Sequence, residues 1–298
     1  MSSKYEPMKK EIPIHGREGI IRSGAVLEQD FFDWDSFSVR YCLIDGCGMI
    51  PEETGKLHTH DYDQVLWFLS ADPDDMLHLG AEVEIDLGEE CVRQRFATPH
   101  AITLPKGTPH FSPIVKNLDR PFFFLSVNCT GKMAAEEAAG SVLPESGPWA
   151  GFFGKFFMNV HALNFAATDP YHYGSEHQQP LGGYSTFLGS TNNNIKLTMA
   201  WSSVCKPGFL GPWGPDGKHH AHAHPDYNEA LIFFSTDLDD LSELHGEADF
   251  CCGPDGEEQE HFLLTKATAM ALKTNAAHLP LEFLKVDKPI IFVTLSAH

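Results

Sequence analysis

Lys218-His219-His220-Ala221-His222-Ala223-His224-Pro225-Asp226-Tyr227-Asn228-Glu229, followed at once by an apolar run over residues 230–234, is the stretch on which the fold reading turns. Side chains alternate along a strand, so His222 and His224 project from one face and can close on a single cation. The next strand begins at Glu229, and Glu229, Leu231 and Phe233 share a face. That sets a carboxylate beside the imidazoles with apolar side chains deeper in. A lone histidine tract also binds metal adventitiously or lies in solvent. Here the chain repeats it as Leu57-His58-Thr59-His60-Asp61-Tyr62-Asp63-Gln64-Val65-Leu66-Trp67-Phe68. The match continues: residues 70–75 answer 235–240, Gly88-Glu89-Glu90 answers Gly256-Glu257-Glu258, and His110 answers His278. Arg120-Pro121 answers Lys288-Pro289, each leading into a closing apolar strand at 122–127 or 290–295. The offset drifts only from 164 (His58 to His222) to 168 (His110 to His278), which marks an internal duplication.

A chain of 298 residues holds two compact domains, one around each copy. A net charge of −20 argues against nucleic acid and anionic membrane as partners, since both are polyanions bound through clustered Lys and Arg. The expected partner is a small-molecule substrate. Seven cysteines at irregular spacings form no paired framework, so reduced thiols and a cytoplasmic location are expected. Residues 1–13 carry no apolar signal-peptide core, and no run approaches the ~20 apolar residues of a membrane span. P-loop, Rossmann glycine and Gly-x-Ser-x-Gly patterns are missing, so metal is the only visible reagent.

Along the chain, residues 1–36 read as an arm packing on the first domain, with a strand at 19–27. A first barrel is expected over 37–129, an ordered connector over 130–190 and a second barrel over 191–298. Strands are expected at 38–44, 67–69, 81–87, 92–96, 100–104, 122–127 and 195–201, with one or two helical turns at 133–139. Short strands punctuated by Gly, Pro, Asp and Asn make the fold all-β, a sandwich or barrel.

Two β units, each with His-x-His, an acid or amide soon after and a single histidine some fifty residues on, resemble the cupin family in its duplicated, bicupin form. His222, His224 and Glu229 match that family's first motif; His58, His60 and Gln64 match it with an amide for the carboxylate. Pro105, Gly107 and His110 match the second motif, Pro-x-Gly-x-x-His, whereas the later copy keeps His278 alone, lacking both Pro and Gly. The resemblance covers roughly 37–128 and 195–296. It implies two tandem antiparallel jelly-roll barrels and metal ligation by His222, His224, Glu229 and His278, and by His58, His60, Gln64 and His110. It also implies apolar outer faces that join such chains into homo-oligomers.

Three neutral imidazoles and a carboxylate suit a divalent cation such as Fe, Mn, Zn or Ni and leave up to two octahedral positions open. Gln64 removes a charge, weakening retention in the first domain or leaving a three-histidine site with the amide behind it. The second domain is therefore favoured for chemistry. Glu229 is a candidate proton carrier, Tyr227 (like Tyr62) a proton donor or a shared turn residue, and His220 an inward-facing extra candidate. The remaining histidines read as surface or satisfied core residues. Arg95 faces a substrate carboxylate or pairs with Glu82 or Glu84, and the acidic runs 72–75 and 237–240 read as solvated turns. The expected activity is C–C cleavage in a small enolisable, phenolic or dicarbonyl substrate, first as a dioxygenase. An oxygen-independent hydrolase, lyase or isomerase, or a non-catalytic binding or storage bicupin, are the alternatives.

Overall fold

The structure, a computed structural model, describes residues 3–34, 36–51, 54–75, 77–129, 136–137, 157–159, 185–188, 197–210 and 219–297. Among them, helix is confined to Glu6–Met8 and Gln29–Phe32, and the rest of the regular structure is strand. The strands group into two compact units, one per copy.

In the first unit a six-stranded sheet runs in the order Phe157–Asn159, His100–Leu104, Asp63–Ser70, Phe122–Cys129, Phe37–Ile44, Ile21–Leu27. A four-stranded sheet runs Gly48–Met49, Ile114–Leu118, Ala81–Leu87, Val92–Phe96. The second unit repeats the plan. Its six-stranded sheet is Lys9–Glu11, Thr268–Leu272, Asn228–Ser235, Ile290–Ala297, Leu197–Val204, Ser185–Leu188, and its four-stranded sheet is Gly208–Leu210, His278–Val286, Glu243–Cys252, Glu260–Lys266. Every pairing is antiparallel. In each unit the core lies between the two sheets: Leu66, Phe68, Phe122 and Phe124 face Val83, Ile85 and Val115 in the first, and Phe233, Met270 and Phe292 face Phe250, Leu264 and Phe283 in the second. This is the jelly-roll sandwich.

Burial explains which strands alternate in the text. Glu260–Lys266 and Val92–Phe96 lie in the four-stranded sheets with one face in solvent, and their sequences alternate accordingly. Asp63–Ser70 and Asn228–Ser235 are buried on both faces from their second residue on, and between a polar second residue and a closing serine they read as unbroken apolar runs over 65–69 and 230–234.

Two expectations change. The arm was expected to pack on the first domain. Instead Lys9–Glu11 adds to the edge of Thr268–Leu272, the Ile12 amide donates to the Ala267 carbonyl, and Tyr5 is buried in the second core. An edge strand offers unpaired amides, and the charged Lys9-Lys10-Glu11 suits a strand closing such an edge. Ile21–Leu27 does join the first unit, beside Phe37–Ile44. In the stretch expected to be helical, Glu136–Glu137 is strand, paired with His58–Thr59; the rest of 133–139 and nearly all of the connector lie outside the described residues.

Phe233 is fully buried and packs its ring against Phe250, Phe283 and Phe292. Truncation leaves a cavity the surrounding sheets cannot close, so Phe233→Ala is expected to lower unfolding free energy by about 3–5 kcal/mol in urea titration. A loss below about 1 kcal/mol contradicts this packing.

Candidate metal centres

Each centre starts from a backbone pair. The amides and carbonyls of His222 and His278 exchange two hydrogen bonds of 3.0 and 2.9 Å, and those of His58 and His110 exchange two of 3.0 Å. Residues so paired stand opposite each other with side chains on one face. The third imidazole, His224 or His60, lies two residues on along the same face. Ring centroids are 4.8, 4.4 and 5.4 Å apart in the second unit (222–224, 222–278, 224–278) and 5.0, 4.3 and 5.1 Å apart in the first (58–60, 58–110, 60–110).

The turn before each last histidine is built alike. The Asp63 carboxylate accepts from the Lys106 amide, and the Asn228 side-chain oxygen accepts from the Thr274 amide. Gly107 takes a positive φ of 77°, and Asn275, its counterpart, takes 64°. Asparagine tolerates the left-handed region, so the second copy keeps the turn after losing the glycine.

Tautomers are fixed by backbone carbonyls. Nδ1 of His58, His110 and His278 donates to the carbonyls of Lys56, Thr108 and Ala276 at 2.9, 3.0 and 2.9 Å, leaving Nε2 as the lone-pair nitrogen. Nε2 of His58 and of His110 is buried without a hydrogen-bond partner. In the second unit, Nε2 of His278 and His224 lie 3.0 and 3.3 Å from Glu229 Oε2, while Ser296 Oγ donates to Glu229 Oε1 at 3.2 Å. Spacings near 3 Å are those of adjacent ligands with bonds of about 2.1 Å to a shared ion. His222, His224, Glu229 and His278 form one group able to hold a cation, and His58, His60 and His110 another.

Gln64 Nε2 donates to Ser126 Oγ and Asn128 Oδ1, both at 3.0 Å, which leaves Oε1 buried with no hydrogen-bond partner. The amide oxygen is thus left without a hydrogen bond at the sheet position where the second unit has the Glu229 carboxylate. Cross-strand register sets the neighbours. Ser38, Asn128 and Gln64 form one row and Arg40, Ser126 and Leu66 the next, where the second unit has Thr198, Ser296 and Glu229 and then Ala200, Thr294 and Leu231. Arg40 donates from Nη1 to the Pro51 carbonyl, and its Nε is buried without a hydrogen-bond partner. Sequence reading missed Arg40, because only the strand order sets it opposite Ser126, in the row after that of Gln64.

Other candidates fall elsewhere. Tyr227 stacks on His224 at 4.5 Å, its hydroxyl 2.8 Å from Nδ1, and Tyr62 stacks on His60 at 4.7 Å. With His224 Nε2 turned to the cluster, Nδ1–H is the donor and Tyr227 orients the ring. His220 pairs with Asp255 at 2.6 Å and stands apart from the cluster. Arg95 pairs with Glu84 and Glu82. Arg120 holds Asp72 and Asp75, and Lys288 holds Asp237, so the acidic turns are tied down by cations of the chain. His100 is a core residue bonded to the Thr98 carbonyl, His78 pairs with Asp75 and His245 with Asp237. His161, His172 and His177 lie outside the described residues.

Burial pushes His110 well below the ordinary imidazole value, with the His58 ring adding to the shift, and burial also lowers His58. Both stay neutral in the fold at pH values where the unfolded chain takes up protons. Below about 6.5 the unfolded state therefore binds more protons, and stability falls as pH falls. The urea midpoint of metal-free protein is expected to drop from about pH 7.5 to about 5.5, and to drop less in His110→Gln. A midpoint indifferent to pH contradicts the neutral, buried imidazoles.

No family model matches the sequence, and no curated protein matches it. Solved structures do. An oxalate decarboxylase of Bacillus subtilis matches with a TM-score of 0.59 at 12% identity, over 97% of this chain and 76% of that one. A formate complex of the Lactobacillus farciminis oxalate decarboxylase matches with a TM-score of 0.60 at 12% identity, over 100% and 87%. Another structure of the Bacillus subtilis enzyme, described for its Mn(II) centres, matches at 0.58. The fold of this chain is that of the bicupins, two jelly-roll units each enclosing a histidine cluster.

Proposed function

We propose that the chain is a divalent-metal-dependent enzyme that cleaves a C–C bond in a small carboxylate, releasing carbon dioxide without inserting oxygen, with the chemistry in the second barrel. The observation behind this reading is the group His222, His224, His278 and Glu229, three imidazoles and one carboxylate whose ligand atoms lie within 4.8 Å of one another. The likeness in fold to oxalate decarboxylases supports the reaction class. When bound, a divalent cation supplies Lewis acidity toward a chelating carboxylate or carbonyl.

The chain's residues do the rest. Glu229, 1% exposed, sets a negative charge against the cation's position and is the cluster's one group able to hold a proton on oxygen. Ser296 fixes its orientation, and Tyr227 fixes that of His224. Leu231, Phe250, Met270 and Leu272 in the surrounding core exclude water, which strengthens charge interactions within. In the first barrel neutral Gln64 stands where the second has Glu229, so that unit lacks the proton carrier.

The test is Mn(II)-loaded protein with oxalate and with small 2-oxo and β-dicarbonyl acids, in air and under argon, following carbon dioxide and dioxygen together. Carbon dioxide release with no matching oxygen consumption is expected. Oxygen consumed in step with turnover identifies a dioxygenase instead, and no turnover by fully loaded protein favours the non-catalytic alternative. His222→Ala with His224→Ala is expected to lower turnover by about a thousandfold or more, about 4 kcal/mol of barrier. His58→Ala with His60→Ala is expected to leave it within about threefold of the parent. The reverse pattern moves the chemistry to the first barrel.

A further inference from the structure

Among the described residues, a third group of metal-ligating side chains lies apart from both histidine clusters: Asp249, Cys251 and His261. We propose that these three form a separate metal site on the outer face of the second unit's four-stranded sheet, suited to Zn(II) or a cation of similar preference. Asp249 and Cys251 lie two apart on Glu243–Cys252 and so share a face, and His261 on Glu260–Lys266 stands directly opposite Cys251. His261 Nδ1 is 2.8 Å from Asp249 Oδ2 and 3.3 Å from Cys251 Sγ. In a tetrahedral shell with bonds of about 2.3 Å to sulfur and about 2.0 Å to nitrogen and oxygen, neighbouring donors are about 3.3–3.5 Å apart. His261 Nδ1 already stands at that spacing from the sulfur and somewhat inside it from the carboxylate, and all three donors lie within 4.8 Å of one another, so a small outward shift of the carboxylate admits an ion.

The donor set separates this site from the buried centres. Those offer nitrogen and oxygen only, whereas a thiolate joined to imidazole and carboxylate selects a borderline-soft cation over Mn or Mg. A Cys–His–Asp nucleophile is disfavoured by the same geometry. His261 Nδ1 stands 2.8 Å from the carboxylate and 3.3 Å from the sulfur, with Nε2 farther from the sulfur at 3.9 Å, so sulfur and carboxylate both lie nearest the same ring nitrogen, whereas a relay through the ring sets them on opposite ones. Cys251 is 3% exposed, and burial, helped by the carboxylates of Asp249 and Glu282, pushes its thiol up to about 11. Glu282 stands opposite Asp249 on the other flanking strand and adds negative charge at this face. A bound cation displaces the thiol proton and neutralises these carboxylates together, which makes the arrangement favourable where a free thiolate is not.

The site has a structural consequence. Glu260–Lys266 is the edge strand of its sheet, and Glu260 accepts hydrogen bonds from Ser3 and the Lys4 amide of the N-terminal arm. A metal joining His261 to Asp249 and Cys251 clips that edge to its neighbour, and native-state binding then stabilises the unit by linkage.

The test uses reduced full-length protein whose histidine centres are first filled with Mn(II), titrated with Co(II) and followed by absorption. A near-ultraviolet thiolate-to-cobalt band is expected, saturating at one equivalent and bleached by Zn(II). Neither histidine cluster contains sulfur, so the band is expected to persist in His222→Ala with His224→Ala whatever the enzyme's activity. Cys251→Ser is expected to abolish it. His261→Gln alters an exposed side chain that the fold tolerates, and is expected to weaken cobalt binding at least about tenfold. No thiolate band in the parent, a band surviving Cys251→Ser, or unchanged affinity in His261→Gln each overturns the site.

Discussion

The reciprocal backbone pairing of His222 with His278, and of His58 with His110, is the constraint from which both centres follow. It joins positions 56 and 52 residues apart in the chain and hands their spacing to the sheet. Once that pair forms, the next inward residue along the strand brings the third imidazole into range with no further long-range contact. The Nδ1 donors then find carbonyls two residues back, so ring orientation is set by the turn that made the pair. Burying three imidazoles with lone pairs facing one another is unfavourable in an apolar barrel without a cation between them. The fold holds them there because these histidines' own backbone bonds are part of the sheet.

The two units keep the same devices with different residues. A basic residue before the closing strand ties the acidic turn, Arg120 to Asp72 and Asp75 in one and Lys288 to Asp237 in the other. An Asp or Asn oxygen caps the turn before the last histidine, and a Gly or Asn supplies its left-handed position. These substitutions preserve geometry. The exchanges around the centres do not: Glu229 against Gln64, Ala200 against Arg40, and Ser296 against Asn128 change charge or donor chemistry in a scaffold of the same strand order.

What the sequence made legible was what a single strand or a repeat can encode. Residues 81–87, 92–96 and 100–104 are strands with the expected bounds, because turns on either side punctuate them and the text between is β-forming. The His-x-His pairs are legible because two positions on one strand share a face whatever lies beside them. Features that depend on which strand lies next to which were not. Arg40 comes into the row after that of Gln64 only through its register with Ser126, and His261 reads as a lone surface histidine until the pairing of Glu260–Lys266 sets it against Cys251. The arm failed for a related reason. Tyr5 and Ile12 are its apolar signals, but nothing local says that their partners lie some 250 residues downstream.

The charge difference between the centres separates what each can do. Gln64 in place of Glu229 removes one negative charge from the first group at the equivalent sheet position. At an effective dielectric near 20, one unit charge at about 4 Å is worth about 4 kcal/mol, or about three decades in affinity. A cation is therefore held harder against Glu229 than against Gln64. Gln64 cannot ionise, so the first group offers no side-chain oxygen able to take a proton. The second group alone sets an ionisable oxygen beside its three imidazoles, at the sheet position where the first has a neutral amide.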